Sequence, residues 1–248
     1  MVGCSYELSD LPRGGVLRIV HSRGTVRDVT QPRRTPIEWF RRTDWTPDVE
    51  SDFFARLRRA RPSNRAQYLR IQAVHLEEAG GADRLRGAIG LLDRLLSDYP
   101  DSVEIAAAHW TRGRCLEGIG DLDGAVAALR ASLAAERARP NVRTEAYLEL
   151  GMLAVRHGRK DLHEEALAAL AEFGGSELLP RQRYEAAAIT AIVFDARGAR
   201  AEARTSALRA LEAAAETTSG LRYHLNLGLV SAINTPLYAE LQRIAGKA

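Results

Sequence analysis

The stretch Gly113-Arg-Cys-Leu-Glu-Gly-Ile-Gly-Asp-Leu-Asp-Gly-Ala125 decides the fold that this sequence predicts. It contains a small residue inside an apolar segment, a Gly120-Asp121 turn signal, and an alanine early in the next segment. Asp121 is a natural N-cap, because its side chain can accept a hydrogen bond from a backbone N–H of the first turn. Small residues on both sides of a short turn let two helix axes approach within about 8–9 Å. The stretch therefore predicts a closely packed helix hairpin.

The same punctuation recurs along the chain with a nearly constant period. Prolines and glycines alternate, and each kind returns every 38 to 40 residues, at Pro62, Pro100, Pro140 and Pro180 and at Gly80, Gly120, Gly158 and Gly198. Ala- and Leu-rich segments fill the intervals. A helix break at a fixed period is the sequence signature of stacked helix hairpins.

These breaks predict the helix boundaries. One helix runs from Pro47 to Pro62, and Ser63 is expected to cap the next, which ends at Gly80. Thr235-Pro236 predicts an N-cap with proline at the first helical position of a closing helix to about Ile244. The remaining predicted helices cover residues 82–98, 102–118, 121–138, 141–157, 161–173, 181–197, 199–217 and 221–233.

Within this frame the residues resemble the tetratricopeptide repeat, a helix pair with a small residue at position eight, a turn near fifteen and alanine at twenty. The matches are Gly113, Gly120-Asp121 and Ala125 in the second repeat, Gly151 and Gly158 in the third, where Ala166 falls three residues late, Ala191, Gly198 and Ala203 in the fourth, and Ala88, Leu92, Leu95 and Pro100 in the first. The resemblance covers about residues 63–217. The period of 38–40 exceeds the family's usual 34, and a HEAT-like array is the alternative.

The resemblance implies an all-α fold, a right-handed superhelical array of antiparallel helix pairs. The repeats would cover residues 63–100, 101–140, 141–180 and 181–220, with a C-terminal cap at 221–248, so that 48–248 forms the helical-repeat domain. Residues 1–47 do not follow the repeat and form a basic arm. In it, 15–21 and 24–30 could pair as a β-hairpin, with a partly ordered arm as the alternative. Trp39, Phe40 and Trp45 are expected to plug the first helix pair.

The composition excludes several protein classes. Hydrophobic residues make up 46% of the 248 residues, which indicates a globular chain, and no apolar run is long enough to cross a membrane. The first residues carry acids and no apolar stretch, so we expect no secretory signal. The two cysteines, Cys4 and Cys115, fit reduced thiols of a cytoplasmic protein, and the Arg- and Ala-rich composition suggests a bacterial source. Of the net charge of +3, residues 1–71 contribute 14 Arg against 8 acids.

In the tetratricopeptide family the first helix of each pair lines a concave surface where partners bind. Carried over to this sequence, the resemblance implies a partner-binding groove of Arg70, Glu77, Trp110, Arg114, Glu117, Leu148, Met152, Ile192 and Asp195. The asparagines of the family's terminal-carboxylate clamp are missing, which argues against that mode of binding. Trp110 is the strongest single candidate contact. The alternative is that Trp110 packs between neighbouring helices or against the N-terminal arm.

No catalytic motif is present. The phosphate-binding loop, the serine nucleophile elbow and the zinc-protease helix motif are all absent. His157, Asp161 and His163 cluster in one turn, but a metal site needs three or four converging ligands, so a solvated turn is expected. Cys115 is expected to be a buried small hydrophobe. We therefore expect a non-enzyme without metal or cofactor.

The sequence favours a scaffold that binds a protein or peptide. The alternative is nucleic-acid binding through the basic arm, where Arg33, Arg34, Trp39, Arg41 and Arg42 could contact phosphates or stack on bases. The opposite charges of arm and groove also suggest that residues 1–47 could occupy the groove. A further alternative is an enzyme subunit with no recognisable active site. The partner and the oligomeric state are not specified by the sequence.

Overall fold

The computed structural model describes residues 38–175, 177–231 and 235–246, together with the backbone of 18–19 and 27–28. The chain divides into two units, Met1–Trp39 and Phe40–Ala248. In the first unit β1 (Arg18–Ile19) pairs antiparallel with β2 (Arg27–Asp28), with Arg18 opposite Asp28. The rest of the predicted hairpin, together with Arg33 and Arg34, lies outside the described residues.

The second unit is built from helices. In the part of it that the structure describes, ten α-helices follow one another: α1 (Pro47–Arg59), α2 (Pro62–Ala79), α3 (Ala82–Asp98), α4 (Ile105–Gly118), α5 (Leu122–Ala138), α6 (Ala146–Arg156), α7 (His163–Phe173), α8 (Pro180–Ala196), α9 (Arg200–Ala214) and α10 (Pro236–Ala245). A 3-10 turn, Lys160–Leu162, leads into α7. The prediction of an all-α fold is confirmed for this unit.

Glycine and proline set the helix boundaries as predicted. The four periodic glycines all adopt positive φ, from 61° at Gly158 to 86° at Gly120, and each lies in the turn that follows a helix. Asp121 caps α5 by accepting a hydrogen bond from the N–H of Gly124 at 2.9 Å. Thr235 caps α10, with Pro236 at its first position. These predictions are confirmed.

Four predicted boundaries are wrong, and one of them is the end of α9, which stops at Ala214 rather than at residue 217. Ser63 does not cap α2, because the helix already begins at Pro62 and its N-cap is Arg61. Helices α4 and α6 begin three and five residues later than predicted, since residues 101–104 and 140–144 form turns after the prolines.

The predicted helix over 221–233 is also wrong, because its described residues, 221–231, form turns. The backbone N–H of Ser219 donates to the carbonyl of Leu225 at 2.7 Å, and its hydroxyl donates to the carbonyl of His224 at 2.6 Å. These bonds close a loop in place of helical hydrogen bonds.

The helices pack in sequential pairs. The closest neighbours are α2 with α3, α4 with α5, α6 with α7 and α8 with α9, and the turns within these pairs are short, which makes each pair a helix hairpin. Successive pairs also touch, and their ion pairs join residues about one period apart. Arg130 binds Glu165, and Arg137 binds Glu172, each 35 residues along the chain. Each pair thus contacts its neighbours in the chain.

Small residues lie where helices approach most closely. A Cβ added to Gly113 would lie 2.8 Å from Leu129 Cγ and 3.3 Å from the carbonyl oxygen of Ala125, so α4 and α5 cross at the predicted place. Gly151 behaves differently. A Cβ there would meet Ile189 Cδ1 at 2.6 Å, so this glycine admits α8 of the next pair rather than α7.

Aromatic side chains close the N-terminal end of this unit. The ring of Phe40 stacks on Tyr68 with centroids 4.5 Å apart, and Trp45 meets Phe53 edge-on at 5.6 Å. Trp45 also lies directly over Gly87 of α3. The predicted hydrophobic plug is confirmed for Phe40 and Trp45. Among the described helices, none is long and apolar enough to cross a membrane.

Candidate functional site

Five helices form one row in which each contacts the next: α2, α4, α6, α8 and α10. They are the first members of the four helix pairs, followed by the closing helix. Helix α10 packs against both α9 and α8, just as α4 packs against α3 and α2. It therefore occupies the position that the first helix of a fifth pair would take. We call this the first-helix row.

Ion pairs connect the first half of the row. Arg70 of α2 pairs with Glu104, the N-cap of α4. Arg114 of α4 reaches back to Glu77 of α2 at 2.7 Å and forward to Glu149 of α6 at 4.0 Å. These contacts tie α2, α4 and α6 together.

The second half of the row is connected in the same way. Arg156 of α6 pairs with Glu117 of α4 at 2.8 Å and with Glu149 at 2.6 Å. Arg181 of α8 pairs with Glu145 at 2.6 Å and Glu185 at 2.8 Å, and Arg243 of α10 pairs with Asp195 of α8 at 2.7 Å. We call all these ion pairs, together with the pair of Arg243 and Glu240 at 2.7 Å, the groove network.

The predicted charged groove residues meet one another in this network. Glu77 and Arg114 form one pair, and Arg70, Glu117 and Asp195 each bind an oppositely charged residue of an adjacent first helix or its N-cap. The resemblance implied a shared face for these residues, but it did not predict that they pair with one another. Because these residues bind one another inside the protein, they connect the helices of the row.

The predicted apolar groove residues differ in their access to solvent. Leu148 is 1% exposed and lies in the core beneath the row, where a partner does not reach it. Met152, 8% exposed, and the half-buried Ile192 line a cavity. Both therefore remain candidate contacts.

Trp110 is half-buried, so it could either pack within the protein or contact a partner. Its half-buried ring packs against the core, and the guanidinium carbon of Arg114 stands 5.5 Å from the ring centroid, in cation–π geometry. The indole Nε1 is buried and has no hydrogen-bond acceptor among the described residues. This placement favours the packing role over direct recognition of a partner.

A cavity of about 710 Å³ opens between α6, α8, α10 and residues 229–231. Its apolar lining comes from Met152, Val155, Tyr184, Ile192, Leu229, Val230, Pro236 and Leu237, and its charged lining from Arg156, Arg181, Glu185 and Glu240. Ligand sites typically have this size, an apolar lining and a few convergent polar groups. We call this cavity the α10 pocket.

A second cavity, of about 650 Å³, lies between α7, α8 and α9. Alanines and threonine from α8 form part of its lining, and Leu170 is the one large aliphatic side chain there. Its charged lining includes Arg183, which already binds Glu216 at 2.7 Å. It offers less apolar surface to a partner than the α10 pocket.

Burial perturbs several titratable groups near the row. Burial, followed by the charge of neighbouring carboxylates, raises the pKa of Glu185 and of Glu77 against the opposing effect of their arginines. Burial raises the pKa of the Cys115 thiol to about 12, and the charge of Glu77 adds to this shift. The thiol is therefore protonated at neutral pH, which suits the predicted buried hydrophobe.

The N-terminal candidate residues that the structure describes are partly engaged. Arg42 donates to both carboxylate oxygens of Asp44, at 2.7 and 2.5 Å, and its backbone exchanges hydrogen bonds with the buried Gln72. The guanidinium carbon of Arg41 lies 5.8 Å from the Phe40 ring centroid. Trp39 belongs to the first unit.

Sequence reasoning missed the contribution of the closing helix. Pro236, Leu237 and Glu240 of α10 line the pocket, yet sequence analysis assigned this helix only a capping role. Its signal was the Thr235-Pro236 start followed by apolar residues spaced for one helix face.

No metal centre emerges in the described part of the chain, where no three His, Cys, Asp or Glu side chains converge. His157 binds Glu117 at 2.8 Å, whereas Asp161 binds Arg159 at 2.8 Å, so the residues of this turn face different partners.

Comparison with known proteins identifies no relative. No protein-family model, no curated protein and no solved structure matches the chain. The functional argument therefore depends on the site itself.

Proposed function

We propose that this chain is a non-catalytic scaffold that binds a peptide or protein segment in the α10 pocket and along the adjoining first-helix row. We further propose that α2–α9 form a right-handed, tetratricopeptide-like superhelical array closed by α10. The turn glycines, the Gly113 crossing and the ion pairs spaced by one period support this arrangement.

The observation that carries the function is the α10 pocket. Three elements separated in sequence bring apolar side chains to one cavity of about 710 Å³, next to charged groups that are already paired. Aliphatic or aromatic anchors buried in such pockets supply most of the binding energy in many protein interfaces. A pocket at the end of a row of linked helices suits an extended segment or a short helix.

The test is selection of peptides from a random display library on the folded chain. Binding of the selected peptides is then compared in two groove variants and one control. Ser231→Trp adds bulk at an exposed position of the pocket, and Ile192→Glu places a charge in its apolar lining. Leu208→Glu makes the same type of change on α9, outside the pocket, at a side chain that is 36% exposed.

We expect both groove variants to bind the selected peptides at least tenfold more weakly than the wild type. Blocking the site of a buried anchor residue, or placing a charge against it, weakens the binding free energy by more than about 1.4 kcal/mol. The Leu208→Glu control should bind like the wild type. Circular dichroism checks that each variant keeps its helices. Selected peptides that bind all variants equally would contradict the proposal.

Nucleic-acid binding is the second candidate. Arg58, Arg59 and Arg61 are exposed together where α1 passes into α2, which extends the basic character of the N-terminal third. Phosphate contacts make binding fall steeply with salt. Failure of the chain to shift single- or double-stranded RNA or DNA at low ionic strength would exclude this function. A salt-sensitive shift that is lost when the three arginines are replaced by alanine would support it.

A further inference from the structure

The groove network contains more carboxylates than cations. Its members along the first-helix row are the carboxylates of Glu77, Glu104, Glu117, Glu145, Glu149, Glu185, Asp195 and Glu240 and the guanidinium groups of Arg70, Arg114, Arg156, Arg181 and Arg243. Among the residues that the structure describes in this network, eight carboxylates thus face five guanidinium groups, and His157 adds a titratable nitrogen. The groove network is thus acidic within a chain whose net charge is +3.

Each of the two arginines at the α10 pocket binds two protein carboxylates. One terminal nitrogen of Arg181 donates to both oxygens of Glu185, at 3.0 and 2.8 Å, and the other donates to Glu145 at 2.6 Å. Arg156 divides its donors between Glu117 and Glu149. A ligand carboxylate would therefore meet guanidinium groups whose single positive charge is already shared between two protein carboxylates. The pocket is therefore poorly suited to an acidic ligand.

The carboxylates keep unused capacity for a cation. A guanidinium group supplies several N–H donors but only one charge, so sharing it between two carboxylates leaves one negative charge uncompensated. Glu185 shares Arg181 with Glu145, and Glu240 shares Arg243 with Asp195. Glu185 and Glu240 both line the pocket, one on α8 and the other on α10. Negative charge thus lies on two of the helices that surround the apolar lining.

We infer that the α10 pocket selects a segment in which a large apolar side chain is flanked by lysine or arginine. The apolar side chain would enter between Met152, Ile192 and Leu237, and the flanking cations would meet Glu185 and Glu240. The pKa of Glu185 is raised by burial and by the charges of Glu149 and Glu145 against the opposing effect of Arg181, which agrees with an arginine charge that is shared among several carboxylates. This inference rests on the proposed function and adds the chemistry of the partner.

The experiment is the composition and binding of the peptides selected on the wild-type chain. We expect enrichment of net-positive peptides with Lys or Arg close to Leu, Ile, Phe or Met. Titration of one such peptide against Glu185→Gln and Glu240→Gln should show a loss of about two- to fivefold for each rim charge removed. A version of the peptide with the cations replaced by glutamine should bind all three proteins with nearly equal affinity. Raising the salt concentration should weaken the cationic peptide more than the neutral one.

The outcomes separate this inference from the proposed function. If selected peptides are neutral or acidic and Ser231→Trp still blocks them, the charge inference is wrong and the groove proposal stands. If no selected peptide responds to Ser231→Trp or Ile192→Glu, both are wrong. Both glutamine variants keep the shape of the side chain. The salt dependence of the wild-type complex gives a second measure of charge pairing that needs no variant.

Discussion

The helix crossing at Gly113 offers the most quantitative test of the fold. Replacing Gly113 by alanine places a methyl group 2.8 Å from Leu129 Cγ and 3.0 Å from Leu129 Cδ2, both inside van der Waals contact. Leu129 is fully buried, so its side chain has little room to move. Overpacking of this kind costs about 1–3 kcal/mol. The higher helix propensity of alanine recovers about 1 kcal/mol.

Gly90 provides a matched control. It lies inside α3, is exposed, and an added Cβ would meet nothing within 4 Å. Gly90→Ala gains the same propensity of about 1 kcal/mol without the clash. The free energies of unfolding of the two alanine variants should therefore differ by about 1–3 kcal/mol. For a chain of this size, each kcal/mol shifts the melting temperature by about 2–4 °C.

The assay is urea denaturation of both variants and the wild type, followed by circular dichroism, with thermal melting as a second measure. We expect Gly90→Ala to be the most stable protein, followed by the wild type and then by Gly113→Ala. If the overpacking cost is near its lower limit, the stability of Gly113→Ala should be close to that of the wild type. Equal stabilisation by both alanines would refute the close crossing of α4 and α5.

Three further predictions concern the N-terminal plug, the buried thiol and the buried carboxylate. In Gly87→Ala the new Cβ would lie 2.5 Å from Trp45 Cδ1, so the indole must move. We expect a red-shifted tryptophan emission and a loss of about 1–3 kcal/mol in the free energy of unfolding. An unchanged emission spectrum would contradict the placement of Trp45. In a Cys4→Ser variant, the Cys115 thiol of the folded protein should resist thiol reagents at neutral pH, because burial raises its pKa to about 12. Cys115 should then be labelled only as fast as the protein unfolds. Rapid labelling of the folded protein would count against this prediction. The pKa of Glu185 is higher in the folded than in the unfolded chain, so the folded chain binds the proton more readily. Protonation of this group therefore adds to the free energy of unfolding as the pH falls from about 7 to 5. Urea midpoints at both pH values should show that Glu185→Gln removes part of this gain, and parallel pH dependences of variant and wild type would disprove it.

Much of the fold follows from local chemistry that the sequence displays. Glycine at Gly120 and Gly158 permits the positive φ that ends one helix, and the Asp121 side chain starts the next. These effects act within a few residues, so the helices that they delimit could be predicted closely. The close approach of α4 and α5 was also predictable, because Gly113 and Ala125 belong to the same hairpin.

The contacts between successive helix pairs were harder to predict from the sequence. Gly151 looks like Gly113 in sequence, yet it admits Ile189 of the next pair, and nothing local to Gly151 indicates that partner. The prediction of a helix over 221–233 is wrong, and the large apolar residues between 221 and 229 alternate at every second position, a pattern that argues against a helix face. The loop formed there leaves Tyr223 79% exposed.

The candidate site contains both features that could be predicted from the sequence and contacts that could not. The resemblance to the tetratricopeptide repeat placed charged residues such as Glu77 and Glu117 on one face of the first helices. That they bind Arg114 and Arg156 depends on how far successive pairs are rotated, which the sequence does not specify. The α10 pocket needs α6, α8 and α10 to converge, and the predicted capping helix supplied one wall of it.

The central claim is that a peptide enters the α10 pocket, and Met152 provides a direct reporter of that event. The chain has two methionines, Met1 and Met152, so selective methyl labelling yields two NMR signals, which Met152→Leu assigns. Titration with a selected cationic peptide should shift or broaden the Met152 methyl signal in proportion to the bound fraction, and Ser231→Trp should abolish the change. Saturable binding of the peptide that leaves the Met152 signal in place would contradict the account.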